Sequence, residues 1–170
     1  MKKSDRSSFN GLFMKLYFLH TGKTNQDFIA EGVEFYLKKL SNYTKIEWHE
    51  LAAEKIKAGN RDTVIKEKEG ELQLRYVKDD DYLILLDENG SLYNSRKFSS
   101  MLEKKLELRT KKIVFLTGGA YGFSDKVYKR ANAKISLSPL TFSHQLVRLV
   151  LAEQIYRAYS IINNSPYHHD

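Results

Sequence analysis

Short apolar runs alternate with longer amphipathic segments along this chain, and the two periods predict its elements. Residues 16–19, 44–48, 82–86, 113–116 and 135–137 are short, β-branched or aromatic, and read as five strands. Between them lie segments of helical period. Residues 26–40 carry Phe28, Ile29, Val33, Phe35, Tyr36, Leu37 and Leu40, with Thr24 or Asn25 as the cap and lysines near the end. Residues 61–76 read as one helix or as two shorter pieces, because Gly70 weakens the middle. Ser95 is expected to cap a third helix bearing Phe98, Met101, Leu102, Leu106 and Leu108, and Ser124 a fourth with Asp125 in its first turn. Residues 52–61 are polar and lysine-rich and read as a mobile surface loop, and residues 87–90 as the turn after the third strand. Strands that alternate with helices imply an α/β fold with a mostly parallel sheet. The near-continuous apolar run of the third strand fits a sheet covered by helices on both faces.

The last helix, residues 142–162, departs from this amphipathic habit. Leu146, Val147, Leu149, Val150, Leu151, Ala152, Ile155, Tyr156, Ala158, Tyr159, Ile161 and Ile162 spread beyond one stripe of ~100°. Such a helix needs cover from two sides, from its own chain or from a second subunit, and self-association is the reading preferred. At the other end, residues 1–13 are polar and without period, and Met14 follows. They read as an N-terminal extension, native, vector-derived or the product of a misassigned start codon, with one domain over residues 14–170.

Composition narrows the picture slightly. The 170 residues suit one domain with a single core, and 42% hydrophobic with 29% charged residues is ordinary. The chain has no cysteine, which excludes disulfide and thiolate chemistry and fits a reducing cytosol. A net charge of +7 points weakly to a polyanionic partner. No stretch approaches the ~18 apolar residues of a membrane span. Lys15 interrupts the one run that resembles a signal peptide, so a cytoplasmic protein is expected.

Candidate chemistry gathers at the carboxyl ends of the strands. Gly22-Lys23-Thr24 resembles the end of a phosphate loop, but that motif needs a glycine where Tyr17 stands, so the turn reads as a plain connection. Gly118-Gly119-Ala120-Tyr121-Gly122 is spaced G-G-x-x-G, not as a dinucleotide fingerprint. It suits either a ligand lying on bare backbone or a tight turn into the next helix. His20 and His49 are isolated and read as surface or structural residues. His144, His168, His169 and Asp170 lack metal-ligand spacing, and no metal is expected.

Taken together, several words are specific. They are the glycine turn 118–122, Ser136-Leu137-Ser138-Pro139-Leu140-Thr141-Phe142-Ser143-His144, the helix from Leu146 to Ala158 (LVRLVLAEQIYRA), and Asn164-Ser165-Pro166-Tyr167-His168. In this order they resemble the SPOUT class of methyltransferases, most closely the RlmH family of large-subunit pseudouridine N3-methyltransferases. The resemblance covers residues 14–170 and is densest in the last sixty. Pro139 sits where relatives vary, and Ser143 where a proline is common. What the resemblance implies is a Rossmann-like sheet with a C-terminal trefoil knot, a homodimer that completes each active site, and S-adenosyl-L-methionine as cofactor. Carried over by position, its cofactor residues are Leu86, Gly118, Leu137, Ser138, Pro139, Leu140, Thr141 and Phe142.

The implied substrate is a pseudouridine of large-subunit (23S) rRNA, in the assembled ribosome. A small basic protein without a separate RNA-binding domain fits a substrate that presents its own shape. Losing the N3 proton calls for a base or a stabilised imidate, and the candidates are His144, Tyr167 and His168. Arg148, with other lysines and arginines, is a candidate for the RNA phosphates. Methylation of tRNA, and a non-catalytic ribosome-binding or assembly role on the same fold, are the competing readings.

Overall fold

The computed structural model describes residues 15–53, 62–107 and 111–167. Ten elements follow one another: β1 (Lys15–Thr21), α1 (Asp27–Leu40), β2 (Ile46–Leu51), α2 (Asp62–Leu74), β3 (Tyr82–Leu92), α3 (Ser95–Leu106), β4 (Lys112–Thr117), α4 (Asp125–Arg130), β5 (Ala133–Ser136) and α5 (Leu146–Ile162). The strands form one sheet in the order β2-β1-β4-β3-β5. Every neighbouring pair is parallel, with Leu16 opposite both Ile46 and Ile113, and Leu86 opposite Thr117.

Strand periodicity divides the core into two layers. Leu16 and Phe18 of β1, Ile84 of β3 and Ile113 and Phe115 of β4 point to one face, where Leu40, Phe98, Leu102, Leu151 and Ile155 cover them. Tyr17, Leu19, Leu83, Leu85, Val114 and Leu116 point to the other, against Phe123, Val127 and Val77. Each fully buried aliphatic or phenyl group contributes about 1.5–3 kcal/mol. That is why β1, the first half of β3 and β4 read as nearly unbroken apolar runs: both of their faces are inside.

Helix α5 packs against both α1 and α3, and Ser99 Oγ donates to the Ala158 carbonyl at 3.2 Å. Its own chain therefore covers Leu151, Ala152, Ile155, Ala158 and Tyr159, while Leu146 stays exposed. Among the described residues no helix is long and apolar enough to cross a membrane.

Boundaries moved where side chains found other partners. The cap of α1 is Gln26, without a side-chain bond, while the Thr24 hydroxyl is engaged by Arg148 and Glu50. Helix α3 is capped by Asn94, not Ser95: its Oδ1 accepts the Lys97 amide at 2.9 Å. Helix α2 is one piece, and a Cβ on Gly70 would collide with the hydroxyl of Ser124. Close packing at the start of α4 explains that glycine. The lysine-rich segment 54–61 and the extension 1–13 lie outside the described residues.

The last helix opens at Leu146 instead of residue 142, with Ser143 Oγ accepting the Leu146 amide at 3.1 Å. The residues before it are thereby released to form a loop. Strand β3 also resumes after its expected turn. Leu86 and Ser91 both stand opposite Ile135 of β5, so residues 87–90 bulge from the ladder between them.

Candidate active site

The loops at the carboxyl ends of β3, β4 and β5 enclose a cleft of about 630 Å³. This volume lies within the range of small-molecule sites, roughly 300–1,000 Å³. Three segments make its walls. The β3 bulge supplies Leu86, Asp87, Glu88 and Asn89; the turn after β4 supplies Thr117 to Phe123; the loop after β5 supplies Leu137, Ser138 and residues 140–144. Ile135 and Ser136 of β5, Val147 of α5 and Tyr128 of α4 complete them.

Each loop is held by its own chemistry. After β4, the Gly122 amide donates back to the Gly119 carbonyl at 3.2 Å, and Gly122 takes φ +79°. The tight turn into the next helix is therefore present, and its glycines also line the cleft. A Cβ on Gly118 would lie 3.2 Å from the Gly122 carbonyl oxygen and 3.3 Å from the Phe123 ring. After β5, Ser136 Oγ donates to the Ser138 carbonyl and Ser138 Oγ accepts the Leu140 amide, both at 2.8 Å. The serines thus fold the loop locally and leave its main chain lining the cleft.

Asp87 is fixed on both oxygens. Oδ1 accepts the Asn89 amide at 2.8 Å and Oδ2 accepts the Tyr128 hydroxyl at 2.5 Å. Burial, and then the Asp87 hydrogen bond, push the Tyr128 phenol up to about 12, so the proton stays on the tyrosine. Asp87 and Glu88 are the carboxylates of the lining, and among the described residues no lysine or arginine joins them there. Bare backbone, apolar walls (Leu86, Ile135, Leu137, Phe142 and Val147) and a fixed negative charge suit a flat heteroaromatic ligand that also carries positive charge.

Of the residues singled out from the sequence, Leu86, Gly118, Leu137, Ser138, Leu140, Thr141, Phe142 and His144 come together in this cleft. Pro139 belongs to the same loop without lining it. His144 is exposed at the rim, directly before α5. His168 lies outside the described residues. Tyr167 is elsewhere: its ring meets Tyr156 edge-on at 4.6 Å, and its hydroxyl donates to Glu153 Oε1 at 3.2 Å and lies 3.4 Å from that of Tyr36. Burial, the Tyr36 contact and the Glu153 charge push its phenol pKa upward. In this position it holds a proton rather than takes one.

Arg148 corrects the sequence reading. It is fully buried, and a side chain without exposed surface meets no phosphate. Its Nε donates to the His144 carbonyl at 3.1 Å, Nη1 to Thr24 Oγ1 at 2.8 Å and Nη2 to the Thr21 carbonyl at 2.8 Å, with Glu50 Oε1 3.6 Å from Nη1. His20 is likewise internal, 2.7 Å from Thr117 Oγ1 through Nδ1 and 4.0 Å from the Trp48 ring. Sequence reasoning did not pick out Asp87, Phe123, Tyr128 and Val147, which also line the cleft. Asp87 had a signal, as the first polar residue after a buried run; Tyr128 had none.

Residues 14–168 match the family described as "Predicted SPOUT methyltransferase", and the chain belongs to that family. Among curated proteins, the "Ribosomal RNA large subunit methyltransferase H" of Parabacteroides distasonis is 46% identical over 157 residues, covering 92% of this chain and 100% of the relative. The proteins of the same name from Christiangramia forsetii and Flavobacterium psychrophilum are each 46% identical, over 87% and 92% of this chain and 94% and 99% of theirs. A SpoU methyltransferase, AviRb from Streptomyces viridochromogenes, solved with AdoMet, aligns at TM-score 0.43 and 9% identity over 95% of this chain and 65% of that one, too slight a likeness to weigh.

Proposed function

We propose that this protein transfers a methyl group from S-adenosyl-L-methionine to N3 of a pseudouridine in large-subunit rRNA, on the assembled ribosome in the cytoplasm. The observation that carries the reading is the cleft itself: bare glycine backbone, a loop folded by its own serines, and a fixed carboxylate, in a chain 46% identical to large-subunit rRNA methyltransferases. When bound, the cofactor supplies a methyl group made electrophilic by its sulfonium. The protein's part is to hold donor and acceptor in line. Leu86, Gly118, Leu137, Ser138 and residues 140–142 form the walls that would hold the cofactor, with Pro139 in the same loop, and Asp87 offers a charge opposite to its own.

At the rim, His144 is the described candidate for the N3 proton, with His168 of the tail beside it in the proposal. Since Tyr167 packs on α1 and α5 of its own chain, away from the cleft lining, the tail serves catalysis in a homodimer, where it closes over the partner's cleft. Exposed Phe28, Phe35 and Leu146 on α1 and α5 support such an interface. The trefoil knot belongs to the same reading, with α5 drawn against the β1–α1 turn. So do the single domain over residues 14–170 and the extension before it.

Labelled cofactor incubated with ribosomes, free subunits and tRNA, followed by mass spectrometry of the RNA, tests the proposal. Label on a large-subunit pseudouridine is expected. Label on tRNA alone would replace the substrate, and cofactor binding without any transfer would leave a binding factor. A ~20 kDa monomer by light scattering at micromolar concentration would remove the dimer.

A further inference from the structure

The turn Gly22-Lys23-Thr24, set aside as a plain connection, is bonded to the start of α5 more densely than a connection requires. Gln145 is almost fully buried; its Nε2 donates to the Lys23 carbonyl at 2.8 Å and its Oε1 accepts the Asn25 amide at 3.1 Å. One turn of helix further, Arg148 sends two donors into the same segment, to the Thr21 carbonyl and the Thr24 hydroxyl, and a third back to the His144 carbonyl. The Thr24 hydroxyl in turn donates a hydrogen bond to Glu50, the carboxylate that faces the guanidinium.

Removing an arginine from water is costly and is recovered only when its donors are satisfied. Here burial lowers the Arg148 pKa and Glu50 opposes that shift. An apolar residue would fill the same space at the α5 start more cheaply. What it could not do is fix the main chain at His144, where the cleft loop ends, relative to β1 and β2. On the same face of β1 as Phe18, His20 meets Thr117, a residue of the cleft wall, so β1 touches the site through a second contact.

We infer that Arg148, with Gln145 and the β1–α1 turn, forms a latch that positions the cofactor loop, making Arg148 a positioning residue for methyl transfer. The inference rests on S-adenosyl-L-methionine occupying the cleft. A loop held by a latch and also by a ligand is ordered by both, so each strengthens the other. Cofactor binding therefore slows amide exchange in the turn, although none of residues 21–25 lines the cleft.

Hydrogen exchange of the full-length protein with and without S-adenosyl-L-methionine, alongside calorimetric affinity, tests this. In the wild type, the Asn25 amide, bonded to Gln145, and the Gly22 amide, bonded to Leu51, are expected to gain protection when the cofactor binds. Thr24→Val, which keeps shape and loses the hydroxyl, is expected to weaken cofactor affinity roughly tenfold and to abolish that gain, the scale of coupling between sites. Thr24→Ser should restore both, and Arg148→Met should repeat the loss where it folds. Raised KM for the cofactor with kcat within about twofold would accompany it. Wild-type binding with no protection of the turn, or Thr24→Val binding as wild type, overturns the latch. Failure of the wild type to bind the cofactor instead overturns the functional reading on which it rests.

Discussion

Gly90 lies against the main chain of Ile135 so closely that an added Cβ would stand 2.5 Å from the Ile135 carbonyl carbon and 2.6 Å from its nitrogen. Neither atom can swing aside as a side chain would. This contact closes the β3 bulge whose residues 87–89 form one wall of the cleft. Gly90→Ala is therefore expected to destabilise by about 1–3 kcal/mol, the scale of forced overpacking. For a domain of this size that lowers Tm by roughly 2–4 °C per kcal/mol, and thermal melting reads it directly. An unchanged melting curve would mean that β5 slides to accommodate the methyl group.

At Gly118 the space is tighter than ordinary but not closed, with the nearest atoms at 3.2 and 3.3 Å from a hypothetical Cβ. Gly118→Ala should fold and bind cofactor with modest loss. Gly118→Val adds two methyl groups beyond that carbon, against the glycine turn or into the cleft. Calorimetry is expected to show S-adenosyl-L-methionine affinity lost at least tenfold while the far-ultraviolet circular dichroism is retained. Equal affinity in the valine variant would remove Gly118 from the cofactor wall.

The fold was legible because its central strands are buried on both faces: Leu83, Ile84 and Leu85 are apolar in succession, and such runs alternate with helical segments along the chain. The cleft was legible in part. The glycine turn and the 136–144 loop announce themselves through residues that expose backbone. What stayed hidden depends on long-range pairing. Arg148 reads as one more solvated charge on an apolar helix until its partners, more than a hundred residues away in sequence, are seen around it. Asn94 outcompeted Ser95 as a cap by one position, a choice that propensity cannot make. Tyr128 meets Asp87 only because β5 lies beside β3.

His20 predicts an acid-sensitive fold. Its side chain is inaccessible to water, and burial first, then the nearby Arg148 charge, hold its pKa well below 6.5. The folded protein keeps it neutral while the unfolded chain protonates it at about 6.5. Its contribution is thus complete above that pH and is lost as pH falls further. Carboxylates titrate in the lower part of the same range, so the comparison must be differential. Tm measured from pH 7.5 to 5 is expected to fall more steeply for the wild type than for His20→Gln, which keeps a hydrogen-bonding group near Thr117 but cannot titrate. Parallel curves would show that the imidazole is not the responsible group.

The tail separates catalysis from anchoring. Tyr167 is seated on α5 and α1 of its own chain, where Arg157 and Lys39 lie 5.0 and 5.6 Å from its ring and Glu153 accepts its hydroxyl proton. Deleting residues 167–170 removes that seat together with His168. The anchoring loss is about 1.5 kcal/mol, the low end for a partly exposed hydrogen bond to a carboxylate, so the truncated protein should still fold and dimerise. Methyl transfer to ribosomes should nevertheless drop roughly 100-fold or more, the scale of a lost acid–base group and a misplaced base. Tyr167→Phe keeps the ring and loses only a phenol already held protonated. It should cost less than tenfold, and His168→Ala should reproduce most of the deletion. Single-turnover transfer with saturating cofactor distinguishes these cases. If the deletion methylates at the full-length rate, the tail is a bystander and His144 stands alone as the base candidate.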